Sequence, residues 1–306
     1  PEVVADSVER ARPQLYEVRE RRVHPGRDEK ILTSWNGLML RAIAEAARAL
    51  GREDYRRVGV ANAEFVLANL YRNGRLLRTH KDGQSKLNGY LEDYANYADG
   101  LLALYETTAD RRWLETARVL ADSIVAHFAD EENGGFFDTS DDHEALVARP
   151  KDLFDNATPA GNSVAAEVLQ KLAVIYGDPE LGRRGVGLIN RLLDALAKHP
   201  SAFGRLLCAA DFAIGPVREI AVVGPSESPE TSALRQVFER SYLPNRVVVF
   251  GNQAASSDHI ATLPLLADRV PINGRPTAYV CEQYTCQLPV TEPAALAGQL
   301  GVKTPT

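Results

Sequence analysis

Between residues 33 and 197 the chain repeats one arrangement three times: a helix apolar around most of its circumference, then an amphipathic one. The first round is Leu38 to Leu50, capped by Thr33 or Ser34, followed by a helix opened by Glu53 or Asp54 and running to Tyr71. The second is Leu91 to Thr107 and Arg111 to Phe128, and the third Asn162 to Tyr176 and Pro179 to Ala197. A helix apolar nearly all round has to be buried, and its amphipathic partner belongs outside it. Levelling Tyr55, Trp113 and Leu181, the large apolar residues that start the outer helices, puts Trp35 level with Asp93 and Gly161. Asn36 then falls level with Tyr94 and Asn162. Short joins within each round make antiparallel helical hairpins, and repeated hairpins stack. The long connections all precede the inner helices, so they gather at one end of the array, where a site is expected.

The entrance to the third inner helix, Leu153 to Ser163, shows the pattern most fully. Thr158 is expected as its N-cap and Pro159 in its first turn, with Gly161 leaving room for a close neighbour. Outside the repeat, Glu2 to Arg22 reads as a charged helix stopped by Pro25-Gly26, and Arg75 to His80 as an extended piece between Asn73-Gly74 and Asp82-Gly83. Ala202 to Phe212 reads as a further helix. Strand Arg218 to Gly224, helix Pro229 to Tyr242 and strand Arg246 to Gly251 then form a β-α-β unit, which predicts a parallel pair. Strand Thr277 to Glu282, a partner in Thr285 to Val290, and helix Pro293 to Leu300 finish the chain. Two domains are therefore expected, helical hairpins over 1–215 and a small α/β element over 216–306. Gly224-Pro-Ser-Glu-Ser-Pro is neither a dinucleotide fingerprint nor a phosphate loop, so no cofactor is expected.

A formal net charge of −6 argues against non-specific nucleic-acid binding. No apolar run reaches the roughly 18 residues that would span a membrane. Three cysteines form no disulfide framework and favour a reducing compartment, so a cytoplasmic location is expected. Cys281 and Cys286 lack the spacing of a redox motif and read as neighbours in a strand pair, with a redox role as the competing reading. His127, His143, His199 and His259 show no metal-ligand spacing, and no metal is expected. The chain lacks a starting Met, which fits a piece of a longer protein.

The candidate catalytic residues are carboxylates at the helix entrances. Glu92 and Asp93 open a helix whose dipole favours their ionisation, and Asp155 is the expected second carboxylate across a cavity. Paired carboxylates of that kind serve as general acid and base in glycoside chemistry. Around them, Asp28 and Lys30 are expected at a cavity rim, and Trp35 offers a face on which a sugar stacks. Asn36, Asn156 and Asn162 suit hydroxyl-rich ligands, Tyr94 shares their layer, and His80 is the histidine placed for acid–base work.

Four motifs, in order, resemble the spermatogenesis-associated thioredoxin-like family: Asp-Glu-Lys-Ile-Leu-Thr-Ser-Trp-Asn-Gly-Leu (28–38), Leu-Glu-Asp-Tyr-Ala (91–95), Asp-Asn-Ala-Thr-Pro-Ala-Gly-Asn-Ser (155–163) and Tyr-Val-Cys-Glu-Gln-Tyr-Thr-Cys-Gln-Leu-Pro-Val (279–290). Glu29 departs mildly from the family's second Asp. The resemblance implies a mainly α fold, an (α/α)6 toroid similar to N-acylglucosamine 2-epimerases and six-hairpin glycosidases, with the ring incomplete here. It also implies that a thioredoxin-like domain of the full-length protein is a partner. Two functions compete: a carbohydrate-active protein of epimerase or glycosidase type that binds a small polar molecule such as a sugar, and a non-catalytic recognition or scaffold module of a redox protein. A third reading treats the polar entrances as helix caps and inter-hairpin hydrogen bonds alone.

Overall fold

The computed structural model describes residues 2–144, 147–252, 263–283 and 285–303; His259 lies outside the described residues. The chain forms two compact units, residues 1–30 and 31–306. The first holds helix α1 (Glu2–Glu20), which carries Pro13 inside it and buries no side chain. Both the helical array and the α/β element lie in the second.

The fold is mainly α, a toroid-type array of helical hairpins. Inner helices α2 (Thr33–Leu50), α4 (Leu91–Thr108), α6 (Gly161–Tyr176) and α8 (Gly204–Ile214) lie side by side in that order. Outer helices α3 (Glu53–Asn69), α5 (Arg111–Phe128) and α7 (Pro179–Lys198) back them. Burial follows the sequence pattern, since α4 hides almost every residue while α5 hides one stripe, Trp113, Leu114, Ala117, Leu120, Ala121, Ile124 and Phe128. Gly51 and Gly177 end α2 and α6 in the left-handed conformation that an L side chain resists. Two helix starts differ from expectation. Thr33 and Ser34 are buried in the first turn of α2 and Leu32 is its N-cap, because the Thr33 hydroxyl donates instead to the Leu77 carbonyl at 2.6 Å. Thr158 and Pro159 precede α6, whose N-cap is Ala160; there Asp155 Oδ1 accepts from the Ala160 amide at 2.9 Å.

The connection before α4 is a small antiparallel sheet that reaches beyond the single extended piece expected. β1 (Ile31–Leu32), β2 (Tyr71–Arg72) and β4 (Gln84–Asn88) all pair with β3 (Arg75–Lys81). At the other end of the array, β5 (Arg218–Val223) pairs in parallel with β6 (Arg246–Gly251) across α9 (Pro229–Glu239), as the β-α-β reading predicts. β7 (Thr277–Glu282) adds antiparallel to β5, and β8 (Thr285–Cys286) forms the sheet edge, followed by α10 (Pro293–Leu300). The α/β element docks on the C-terminal end of α4. Arg235 donates to the Thr107 carbonyl at 2.8 Å, where the helix dipole is negative, and the Phe250 amide donates to the Tyr105 hydroxyl at 3.0 Å. Cys281 and Cys286 face each other across β7 and β8, as expected of a strand pair, but they are joined by a disulfide. The turn that starts at Gln283, with φ 49°, folds the short spacing back on itself and sets the two sulfurs opposite.

Among the described residues no helix is long and apolar enough to cross a membrane, and no group of three or more His, Cys, Asp and Glu is placed to hold a metal ion.

Candidate functional site

The N-termini of α2, α4 and α6 meet in one layer. A Cβ on Gly37 would come within 2.5 Å of the Asn96 backbone, and one on Gly161 within 2.9 Å of the Glu92 amide nitrogen, so the backbones are nearly in contact. Asp93 locks this layer. Its Oδ1 accepts from the Ser34 amide and its Oδ2 from the Tyr90 amide, both at 2.8 Å, and Arg78 donates to Oδ2 at 3.2 Å. The same guanidinium reaches Glu92 at 2.8 Å. Burial pushes the Asp93 carboxyl up to about 6, although Arg78 and the two amides pull it the other way.

The other expected residues are held in a similar manner. Asp155 Oδ2 accepts from the Arg205 amide at 2.7 Å, fastening the start of α8. Asn162 clamps Phe136 from both sides, accepting from its amide at 2.9 Å and donating to its carbonyl at 2.8 Å. Asn36 donates to the Leu32 carbonyl and accepts from Asn62, each at 2.8 Å. The Tyr94 hydroxyl accepts from the Leu76 amide and from Arg75, and His80 pairs with Ser85 at 2.8 Å. Asn156 is exposed, its side chain donating a long 3.4 Å bond to the Phe154 carbonyl and its amide a 3.1 Å bond to the Thr158 carbonyl, while Trp35 is 62% exposed. Asp28 and Lys30 belong to the first unit, where they pair with each other at 3.1 Å.

A cleft of about 740 Å³ opens along the inner helices, two turns deeper. Arg41, Asp99 and Glu167 each stand six residues beyond the level of Trp35, Asp93 and Gly161, about 9 Å along an α-helix. They occupy one register position of three successive repeats and carry complementary charges. Arg41 and Arg205 both bind Asp99 Oδ2, the latter at 2.7 Å. The same Arg205 nitrogen lies 2.9 Å from Glu167, and Lys171 closes the chain on Glu167 at 2.6 Å. A turn or two further, Glu106 binds Arg48 and, at 3.1 Å, Arg246 from the start of β6. The α9–β6 connection, Glu239 to Arg246, forms the opposite wall.

These carboxylates are strongly polarised. Burial alone would raise Asp99, but Arg205 and Arg41 outweigh it and hold the carboxyl far below its ordinary value. Glu167 is likewise lowered, with Lys171 overcoming burial, and Arg48 with Arg246 brings buried Glu106 down to about 2. The lining carries six basic and six acidic side chains, and no histidine among the described residues. This layer was open to sequence reasoning, because the register that levels the entrances also levels Arg41, Asp99 and Glu167. Asp99 is an acid in the middle of a mostly apolar helix.

No family model matches the chain. Human spermatogenesis-associated protein 20 is 31% identical over 294 residues, covering 92% of this chain and 37% of the human protein. The mouse protein of that name matches at the same identity and coverage. The chain is thus homologous to spermatogenesis-associated protein 20, in line with the motif resemblance, and it spans about 37% of the length of these relatives. Among solved structures, cellobiose 2-epimerase from Bacillus thermoamylovorans aligns with TM-score 0.46 and 18% identity, over 55% of this chain and 45% of that one. Unsaturated glucuronyl hydrolase from Bacillus sp. GL1 gives 0.42 and 19%, over 58% and 50%. The GH76 α-mannanase of Bacteroides thetaiotaomicron gives 0.42 and 13%, over 64% and 61%. All three are carbohydrate-active enzymes.

Proposed function

We propose that the protein binds a neutral, hydroxyl-rich small molecule of the sugar class in the cleft along α2, α4, α6 and α8. The observation that carries this reading is the balance of the lining, six cations and six anions, in which Glu45, Arg41, Asp99, Arg205, Glu167 and Lys171 form one chain of ion pairs and Arg48, Glu106 and Arg246 another. A hydroxyl both donates and accepts, so it can bridge a carboxylate and a guanidinium without displacing either. An anionic ligand would have to evict a carboxylate from a low-dielectric site, and a cation an arginine. Epimerase or glycosidase chemistry in the cleft would need a proton carrier poised near neutrality. Asp99, Glu106 and Glu167 are all held ionised, so the reading assigns them to binding.

Cys208 provides a direct reporter, since it is a free cysteine that lines the cleft. A panel of neutral mono- and disaccharides is screened by thermal melting and by the rate of Cys208 alkylation under non-reducing conditions. The expected result is a hit that raises the melting temperature and slows alkylation, with both effects lost in Lys171→Gln. Failure of every neutral sugar, or tighter binding of the matching sugar phosphates, overturns the reading.

A further inference from the structure

We propose that Cys281 and Cys286 form a thiol–disulfide exchange site, at which a dithiol donor attacks Cys286 and the sulfur released from Cys281 is received by Arg269. Four observations carry it. The two cysteines are directly opposed on β7 and β8 at the sheet edge. Their exposures are opposite: Cys281 is 1% exposed, whereas Cys286 is open to solvent. The bridge joins residues five apart in strands already hydrogen-bonded to each other. Loop-closure stabilisation is smallest for so short a loop, so the bond does little as a staple.

The fourth observation is Arg269. Its Nη2 lies 3.0 Å from the Cys281 sulfur and 3.3 Å from that of Cys286. The guanidinium is held in place by the Leu265 carbonyl and by the Tyr279 ring, 5.6 Å away, whose hydroxyl is itself fixed to the Val270 backbone at 2.7 Å. Disulfide sulfurs are weak acceptors, whereas a thiolate beside a cation is strongly stabilised. The arginine is therefore better matched to the reduced state than to the oxidised one. Glu219, buried and paired with Cys281 across the β5–β7 ladder, and Tyr279 are the other groups that bear on its charge.

The exchange proceeds in two displacements. A donor thiolate attacks the Cys286 sulfur, the S–S bond breaks, and its electron pair leaves on Cys281 as a thiolate beside Arg269. The donor's second thiol loses its proton and attacks the donor sulfur of the mixed disulfide, releasing Cys286, which takes a proton from solvent. The donor is oxidised by two electrons to a disulfide and the protein pair is reduced by two.

The test equilibrates the whole protein in dithiothreitol redox buffers, quenches with an alkylating agent and counts modified cysteines by mass spectrometry, while circular dichroism follows the fold. The pair is expected to become reduced with the fold intact. Arg269→Gln should require about tenfold more reductant at half-reduction, about 30 mV for a two-electron couple. Glu219→Gln should shift the ratio the other way, an independent readout should the arginine variant fail to fold. With glutathione disulfide as probe, Cys281→Ser should yield an adduct on Cys286, and Cys286→Ser none on Cys281. Reduction only together with unfolding, an adduct on Cys281, or a reductant ratio unmoved by both charge substitutions overturns the proposal.

Discussion

The buried layer at Arg41, Asp99 and Glu167 makes a sharp demand on stability. Asp99→Asn keeps the shape and removes the charge that two arginines share. The side chain is 7% exposed and accepts from both Arg41 and Arg205, so the substitution leaves two partly buried guanidinium groups short of an anion. Breaking a buried pair by deleting one partner costs about 3–5 kcal/mol, and an asparagine oxygen recovers part, which places the expected loss near 3 kcal/mol. At roughly 2–4 °C per kcal/mol for a domain of this class, the melting temperature should fall by about 6–12 °C in a calorimetric scan. Glu45→Gln, at the exposed end of the same chain of charges, should cost less than about 0.5 kcal/mol. Asp99 is held below its ordinary value, so its contribution is complete above the unfolded carboxylate value, near 4, and fades as pH falls below it. The gap between wild type and variant should therefore stay level from pH 8 to about pH 5 and narrow only in stronger acid. Combining Asp99→Asn with Arg41→Gln should cost less than the two changes summed, by about 1–3 kcal/mol. A shift under 2 °C, or strict additivity with Arg41→Gln, would show that water already screens the layer and would refute this account.

Asp93 should behave in the opposite sense with pH. Its carboxyl is raised by burial from 3.8 to about 6, so the stability linked to its protonation is present below the unfolded value and lost as pH rises through 6. Urea midpoints at pH 7 and pH 4 should show wild type gaining up to ~3 kcal/mol relative to Asp93→Asn on acidification, and parallel profiles would count against the assignment. Gly37→Ala should destabilise by at least the 1–3 kcal/mol typical of overpacking, because its new methyl meets Asn96 backbone at 2.5 Å and backbone cannot rotate away. Gly187→Ala on α7, with nothing within 4 Å of the added carbon, should be neutral or stabilising in the same urea titration.

The hairpin array was legible because burial imposes a period on sequence. α4 and α6 are apolar where a surface helix could not be, and α5 and α7 alternate as only a half-buried helix does. Helix starts were less legible, since a cap depends on competition between partners that are distant in sequence. Thr33 could have capped α2, but the Leu77 carbonyl, 44 residues away, claims its hydroxyl. The β3–β4 hairpin was half-read for a similar reason: Gln84 to Asn88 has no apolar alternation because four of its five residues face solvent.

The polar entrances and the ionic layer beneath them differ in a way that composition cannot express. Asp93, Asp155 and Asn162 look like site residues in sequence because each is a polar group where apolar burial is expected. In space each satisfies backbone amides or carbonyls that would otherwise be orphaned at the junction of two repeats. Arg41, Asp99 and Glu167 look ordinary one at a time, as any helix carries such residues. Only their shared register shows that a cation and two anions from three separate helices stand at one height, where Arg205 of a fourth supplies the second cation. A group that closes its hydrogen bonds within the fold has little left for a ligand. A balanced lattice facing a cleft keeps donors and acceptors on its open side, and that asymmetry is why the deeper layer, rather than the entrance, is the better place to look for a bound molecule.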